Sequence, residues 1–76
     1  MSRIFTDADL LTWEAYTSAG AFGLPENPKI VFHCLSDPDR PARVITRDGS
    51  TADVTEAVLS SGDRELRALL ERAVEM

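Results

Sequence analysis

Residues 29–36, KIVFHCLS, form a segment that would be apolar on both faces of a β-strand. Side chains of a strand alternate between its two faces, so a strand wetted on one side alternates apolar and polar residues. The two faces of this segment carry Ile30, Phe32 and Cys34 on one side, and Val31, His33 and Leu35 on the other. Such a strand needs cover on both sides, and a chain of 76 residues has little material for two covering layers. We therefore expect either the loop over residues 19–28 or another subunit to cover the second face.

The composition is typical of a folded, soluble domain, with 43% hydrophobic and 28% charged residues. The net charge of −5 disfavours binding to nucleic acids or anionic membranes, which are negatively charged themselves. The single cysteine excludes an internal disulfide, and no apolar stretch approaches the roughly 18 residues of a membrane span. We expect one cytoplasmic domain over residues 1–76, with no cofactor and with neither a membrane nor a nucleic acid as partner.

Prolines delimit the strands in the middle of the chain, because proline lacks the N–H that a sheet ladder needs. Pro28 and Pro38 confine one strand to residues 29–36. A second strand is expected at residues 42–48, which end in an Asp-Gly turn signal.

The second of these strands mixes arginines with apolar residues. We expect Val44 to face the core, with Arg43, Ile45 and Arg47 on the opposite face. Arg40, Arg43 and Arg47 are three of the eight basic residues of the chain. They could form a patch for an anion or RNA, but charges on an edge strand also block unwanted strand pairing or steer an acidic partner. Protection of an edge strand is the stronger interpretation.

The last part of the chain has the pattern of an amphipathic helix over residues 63–75. Apolar residues recur at helical spacing along one stripe, at Leu66, Leu69, Leu70, Ala73 and Val74. Ser60 followed by Asp63 resembles a capping box, and Asp63 and Arg67 have the spacing of a stabilising ion pair. A shorter helical turn is expected over residues 54–59.

The N-terminal residues fit two structures. In one, residues 3–6 and 12–18 are strands joined by an Asp-rich turn, which agrees with their Thr, Trp and Tyr content. In the other, Thr6 and Asp9 form a capping box for a helix over residues 7–18. Propensity alone does not separate the two.

The chain carries an FTD motif at residues 5–7, a WE pair at residues 13–14 and a GDRELRALLERA stretch near its C-terminus. This pattern resembles a group of small uncharacterised bacterial proteins that begin with an FTD…WE hairpin and end in an ELRALLERA-type helix. The resemblance implies a β-β-β-β-α order and favours the hairpin, and no activity comes with it. Where that group often has glycine in the first turn, this chain has Leu10.

These elements predict an α+β fold, in which a small antiparallel sheet of about four strands in meander order carries one C-terminal amphipathic helix on one face. A helix is roughly 10 Å wide and a sheet of this size roughly 14–19 Å across, so the helix covers only part of one face. The sequence therefore favours association through the uncovered face, with a two-fold homodimer as the expected form.

His33 and Cys34 are the only residues of their types, and they are adjacent. Neighbours in a strand project to opposite faces, so the two cannot form a catalytic pair within one chain. We expect Cys34 to be a buried, inert thiol and His33 to be a partly buried histidine bonded to a backbone group or a carboxylate. The alternative is a metal site that uses His33 with the turn carboxylates of Asp37 and Asp39, although their spacing does not match a calcium loop.

No phosphate-binding loop, nucleotide-binding glycine pattern, nucleophile elbow or zincin helix occurs, so the sequence predicts a protein that is not an enzyme. The expected role is a small protein-interaction module that self-associates or binds another protein. The alternatives are a small metal- or ligand-binding protein or enzyme subunit that uses His33, and an acidic regulator of a larger complex. The residues expected at the interaction surface are Trp13, Phe22, Phe32, His33, Leu35, Arg43 and Arg47, although the simplest interpretation of Trp13 is a core anchor under the C-terminal helix.

Overall fold

The computed structural model describes residues 2–18 and 27–75. Its strands are β1 (Arg3–Thr6), β2 (Thr12–Ser18), β3 (Lys29–Cys34), β4 (Arg43–Thr46) and β5 (Val74–Glu75), and its helices are α1 (Thr51–Ser60) and α2 (Asp63–Arg72). The strands form one antiparallel sheet in the order β1-β2-β3-β4-β5. The predicted α+β class, with the helices towards the C-terminus, is confirmed.

Several boundaries differ from the prediction. The strand predicted at 29–36 ends at Cys34, and the strand predicted at 42–48 is confined to Arg43–Thr46. The short helical turn expected over 54–59 is a ten-residue helix, α1. The N-terminal residues form a hairpin of β1 and β2, in which Phe5 pairs with Trp13.

The helix predicted over residues 63–75 ends at Arg72, and a fifth strand follows it. Ala73 is extended, and Val74 then pairs with Val44 of β4. The apolar stripe could not reveal this ending, because Ala73 and Val74 fit helical spacing as well as they fit a strand. Pairing with β5 satisfies backbone groups that β4 would otherwise present at the edge of the sheet.

The capping box predicted at Ser60 and Asp63 is wrong. Ser60 is the last residue of α1, and α2 begins after Gly62, which offers no side chain for a cap. The side chain that does cap a helix is Ser50, whose Oγ accepts a hydrogen bond from the Asp53 N–H at 3.1 Å. The same three-residue spacing therefore occurs twice, and only the backbone conformation distinguishes the cap.

Both helices pack on the same face of the sheet, which we call the core face. They share one hydrophobic cluster with the sheet, made of Phe5, Trp13, Ala15, Ile30, Phe32, Cys34, Val54, Val58, Leu66, Leu70 and Ala73. Charged groups of α2 also contact β1: Asp63 forms an ion pair with Arg3 at 3.1 Å, and the Arg67 Nε donates to the Thr6 carbonyl at 2.7 Å. The predicted partners Asp63 and Arg67 thus both connect α2 to the first strand.

The sidedness predicted for β4 is wrong. Val44 pairs with Val31 and lies on the face away from the helices, whereas Ile45 pairs with Ile30 and packs against the core cluster. Arg43 also lies on the core face, with its guanidinium carbon 5.8 Å from the centroid of the Trp13 ring. The predicted alternation of Arg43 and Ile45 against Val44 is confirmed. The face on which each residue lies depends on the register with β3, which is a long-range property.

Asp7 organises the β1–β2 hairpin. Its Oδ1 accepts the backbone N–H groups of Asp9 and Leu11 at 2.8 and 2.9 Å, and its Oδ2 accepts the indole N–H of Trp13 at 2.8 Å. Burial raises the pKa of Asp7, but these hydrogen bonds and the positive charge of Arg40 outweigh it, so the pKa lies below the usual aspartate value. One carboxylate thus holds both the turn and the largest core side chain.

The hairpin turn ends in a residue with left-handed backbone conformation. Leu10 has φ of 66°, the Leu10 N–H donates to the Asp7 carbonyl, and the Asp7 N–H donates to the Leu11 carbonyl. This is a three-residue hairpin loop whose last position favours glycine. Leucine at this position is strained by its Cβ, and its side chain is 82% exposed, so it gains little from burial.

We expect Leu10→Gly to stabilise the protein by about 0.5–1 kcal/mol, because relief of the left-handed strain exceeds the extra chain entropy of glycine. Thermal unfolding should show a midpoint about 3–6 °C higher. The matched control is Ala8→Gly in the same turn, which adds the same entropy without relieving strain and should lower the midpoint. A lower midpoint for Leu10→Gly would contradict the strain argument.

Candidate interaction face

The sheet face opposite the helices, which we call the outer face, carries several exposed apolar side chains. Its exposed apolar side chains are Ile4, Tyr16, Leu35 and Val74, with exposed fractions of 60%, 37%, 46% and 65%. Apolar side chains scattered singly over a surface need no explanation, but a group on one face of a sheet is typical of an interaction site.

The strand register aligns four apolar residues across the outer face. Tyr16 of β2 pairs with Val31 of β3, Val31 pairs with Val44 of β4, and Val44 pairs with Val74 of β5. Val31 is buried yet does not belong to the core cluster, which agrees with its position on the opposite side of the sheet. We call these four residues the apolar row.

Charged and polar residues lie on both sides of the apolar row. On one side, Glu14 pairs with His33 across β2 and β3, and the Ser2 Oγ donates to the Glu14 Oε2 at 2.7 Å. On the other side, Lys29 pairs with Ser18 and with Thr46. Because β2 and β3 are antiparallel, an acidic residue and a basic residue lie on opposite sides of the same row.

Two residues named for the interaction surface lie in the core instead, which confirms the core-anchor interpretation of Trp13 and corrects the expectation for Phe32. Trp13 and Phe32 are fully buried, and both point towards the helices. The Trp13 indole is held by Asp7, and the Phe32 ring meets the Phe5 ring edge to face, with centroids 6.0 Å apart. The apolar strand pattern predicted burial of Phe32 on one face, but it could not say that this face is the one under the helices.

His33 and Leu35 are exposed on the outer face, where they flank the apolar row. The expectation that His33 is partly buried is therefore wrong. His33 stands beside Glu14 and points away from the buried Cys34, as strand alternation requires. Among residues 2–18 and 27–75, no three His, Cys, Asp or Glu side chains are grouped closely enough to hold a metal ion.

The arginines that we expected at the interaction surface lie on the helix side of the sheet. Arg43 packs over Trp13, and its Nη1 donates to the Leu70 carbonyl at 3.3 Å, so it connects β4 to α2. Arg47 follows the end of β4 and lines a groove that opens between the two helices. β4 is not an edge strand at Arg43, because β5 pairs with it there. Phe22 lies outside the described residues.

The groove between the helices has a volume of about 430 Å³. Its walls include apolar residues (Ile30, Val54, Val58 and Leu69) and charged residues of both signs (Arg47, Arg72, Asp48, Asp53 and Glu65). His33 lies on the other side of the sheet, so it cannot act together with these carboxylates. The described residues therefore do not bring His33 and a set of acids into one pocket.

Five apolar members of the outer face are absent from the residues expected at the interaction surface: Ile4, Tyr16, Val31, Val44 and Val74. Alternation in the RIFT segment places Ile4 opposite the buried Phe5, which was a usable signal. Val74 had no such signal, because its strand has only two residues.

Neither helix within the described residues is long and apolar enough to cross a membrane. Comparisons of the chain with protein-family models, with curated proteins and with solved structures give no match.

Proposed function

We propose that this protein is a small non-catalytic interaction module that self-associates through the outer face of its sheet. The observation that carries the proposal is the apolar row, which runs over four adjacent strands on the side that the helices leave open. Two of the exposed apolar side chains, Ile4 on β1 and Val74 on β5, lie at opposite edges of this face. The apolar character thus extends over the whole width of the sheet.

The energetic argument concerns the surface left in water. Burying an aliphatic or aromatic side chain stabilises a contact by about 1.5–3 kcal/mol relative to leaving it exposed. The described helices cannot supply this burial, because both occupy the core face. A second sheet packed face to face, with the usual spacing of about 10 Å, would bury the exposed apolar side chains together.

We expect Val74→Asp to abolish self-association, because it places a carboxylate in the apolar row without changing a core side chain. Light scattering on a sizing column, run over a range of concentrations, should show the parent mass rising from 8.4 kDa towards twice that value. The variant should keep the monomer mass at every concentration. Circular dichroism and thermal unfolding of the variant would verify that the fold persists.

The matched control is Leu10→Asp, which makes the same type of change at an exposed leucine on the hairpin turn, away from the outer face. This variant should associate as the parent does. Ile4→Asp, at the far edge of the outer face, provides a second test if Val74→Asp disturbs its strand. A monomeric parent at all concentrations, or equal loss of association in the control, would contradict the proposal.

A further inference from the structure

We infer that two copies of this chain pack with their two-fold axis parallel to the apolar row, so that Glu14 of each copy meets Lys29 of the partner subunit. This inference rests on the proposed self-association and adds the orientation of the partner and its charge contacts. It is carried by the distribution of charge about the apolar row.

The two charged residues are displaced from the row by equal distances in opposite directions. Glu14 lies two residues from Tyr16 along β2, and Lys29 lies two residues from Val31 along β3. Two residues of a strand span about 6.7 Å, and neighbouring strands are about 4.8 Å apart. Because the strands are antiparallel, Glu14 and Lys29 fall on opposite sides of the row and on adjacent strands.

A two-fold axis along the row exchanges its two sides between the copies. The side of one sheet that carries Glu14 then faces the side of the other sheet that carries Lys29. The operation generates two such contacts, one for each copy, as an isologous interface requires. The residues of the row itself meet their own counterparts near the axis, which brings apolar side chains together at the centre.

An axis parallel to the strands has the opposite electrostatic result. It would place the two Glu14 carboxylates on one side of the interface and the two Lys29 ammonium groups on the other. Like charges at close range oppose association, so this arrangement is disfavoured. The observed charges therefore distinguish between the two ways of stacking the same apolar faces.

The expected interface is small. Five strands about 4.8 Å apart and about five residues long cover roughly 20 by 17 Å, so two such faces have a projected area of about 700 Å². The accessible surface of side chains exceeds the projected area, so the interface buries on the order of 1,000 Å². This area lies at the lower limit of specific interfaces, so we expect a dimer that forms at micromolar or higher concentration.

Charge reversal tests the orientation directly. Glu14→Lys alone places a lysine opposite Lys29 of the partner subunit, and Lys29→Glu alone places a glutamate opposite Glu14 of the partner subunit. Each variant should dimerise about tenfold more weakly than the parent, with a difference that diminishes at high salt. An equimolar mixture of the two should recover the parent affinity, because both contacts of the mixed dimer then join opposite charges.

The controls are Glu56→Lys on α1 and Arg64→Glu on α2, which change the net charge equally at exposed positions on the helices. Mixing these should give no gain over either variant alone. Sedimentation velocity of each variant and each mixture provides the measurement. If the parent dimerises and each single variant dimerises as tightly as the parent, the orientation is wrong and the self-association stands, because an axis parallel to the strands leaves both contacts of each single variant between like charges, as in the parent. The same conclusion follows if the Glu14 and Lys29 mixture gains nothing, or if it binds more tightly than the parent. If the parent is a monomer throughout, both are wrong.

Discussion

We expect Phe32→Ala to destabilise the protein by about 3–5 kcal/mol, which is the usual cost of removing a buried phenyl ring. Phe32 is fully buried, and its ring packs edge to face on Phe5 at an interplanar angle of 83°. The lost stability therefore has three sources: the free energy of burying the ring, the cavity left between the sheet and the helices, and the contact with Phe5, which is worth about 0.5–1.5 kcal/mol. A domain of this size has only about 5–10 kcal/mol of stability, so the variant should be close to unfolding at room temperature.

Urea unfolding followed by tryptophan fluorescence provides the measurement, since Trp13 belongs to the same cluster. Phe32→Leu, expected to cost about 1–2 kcal/mol, keeps the effect measurable if the alanine variant does not fold. The matched control is Leu35→Ala, just beyond the same strand on the outer face, which should cost less than about 1 kcal/mol at concentrations where the protein is monomeric. Equal losses at the two positions would contradict the assignment of core face and outer face.

We expect Asp7→Asn to destabilise the protein by about 1.5–3 kcal/mol at neutral pH, the usual range for hydrogen bonds to a charged group. The asparagine carbonyl oxygen can still accept the two backbone N–H groups. The NH2 group of the asparagine would then face the indole N–H of Trp13, and both of these groups are donors. The buried indole N–H is left without an acceptor, and the negative charge that the three donors stabilise is lost.

The same bonds predict a pH dependence. Because the pKa of Asp7 is lower in the folded protein than in the unfolded chain, the folded state binds fewer protons. The contribution of Asp7 to stability is therefore fully present when the pH lies above the usual pKa of aspartate. The contribution is lost as the pH falls from that value through the folded pKa. The difference in free energy of unfolding between the parent and Asp7→Asn should therefore be constant above about pH 5 and decrease towards about pH 2.

Asp9→Asn is the control for this comparison, because it removes the same charge from the same turn and leaves the bonds of Asp7 intact. It should change stability by no more than about 0.5 kcal/mol. A difference between the parent and Asp7→Asn that does not vary with pH would show that the carboxylate charge has no part in holding the indole.

Properties with a local cause were predictable from the sequence. The alternation in β3 correctly separated Ile30, Phe32 and Cys34 from Val31 and His33. The amphipathic stripe located α2, since its buried residues recur at helical spacing. Both patterns depend only on the geometry of one element, so they can be recognised without knowing which elements pack against it.

Properties that depend on two distant segments were not predictable. The face of β4 was misassigned because Arg43 has an apolar partner in Trp13, which sequence periodicity does not reveal. Leu10 illustrates a related difficulty: leucine gives no signal for a left-handed turn residue, and the turn in which Leu10 adopts that conformation is closed by hydrogen bonds to Asp7. The candidate site could not be predicted for the same reason, because the pairing of Val44 with Val31 decides that Val44 lies on the outer face.

The apolar character of both faces of residues 29–36 followed from the sequence alone, and it predicts cover on both sides. Only the tertiary structure decided that both helices cover the face of Phe32, and that Val31 joins a row completed by Val74 from the far end of the chain. The physical reason is that side-chain alternation is set within a strand, whereas register and sheet order are set by backbone pairing between segments far apart in sequence.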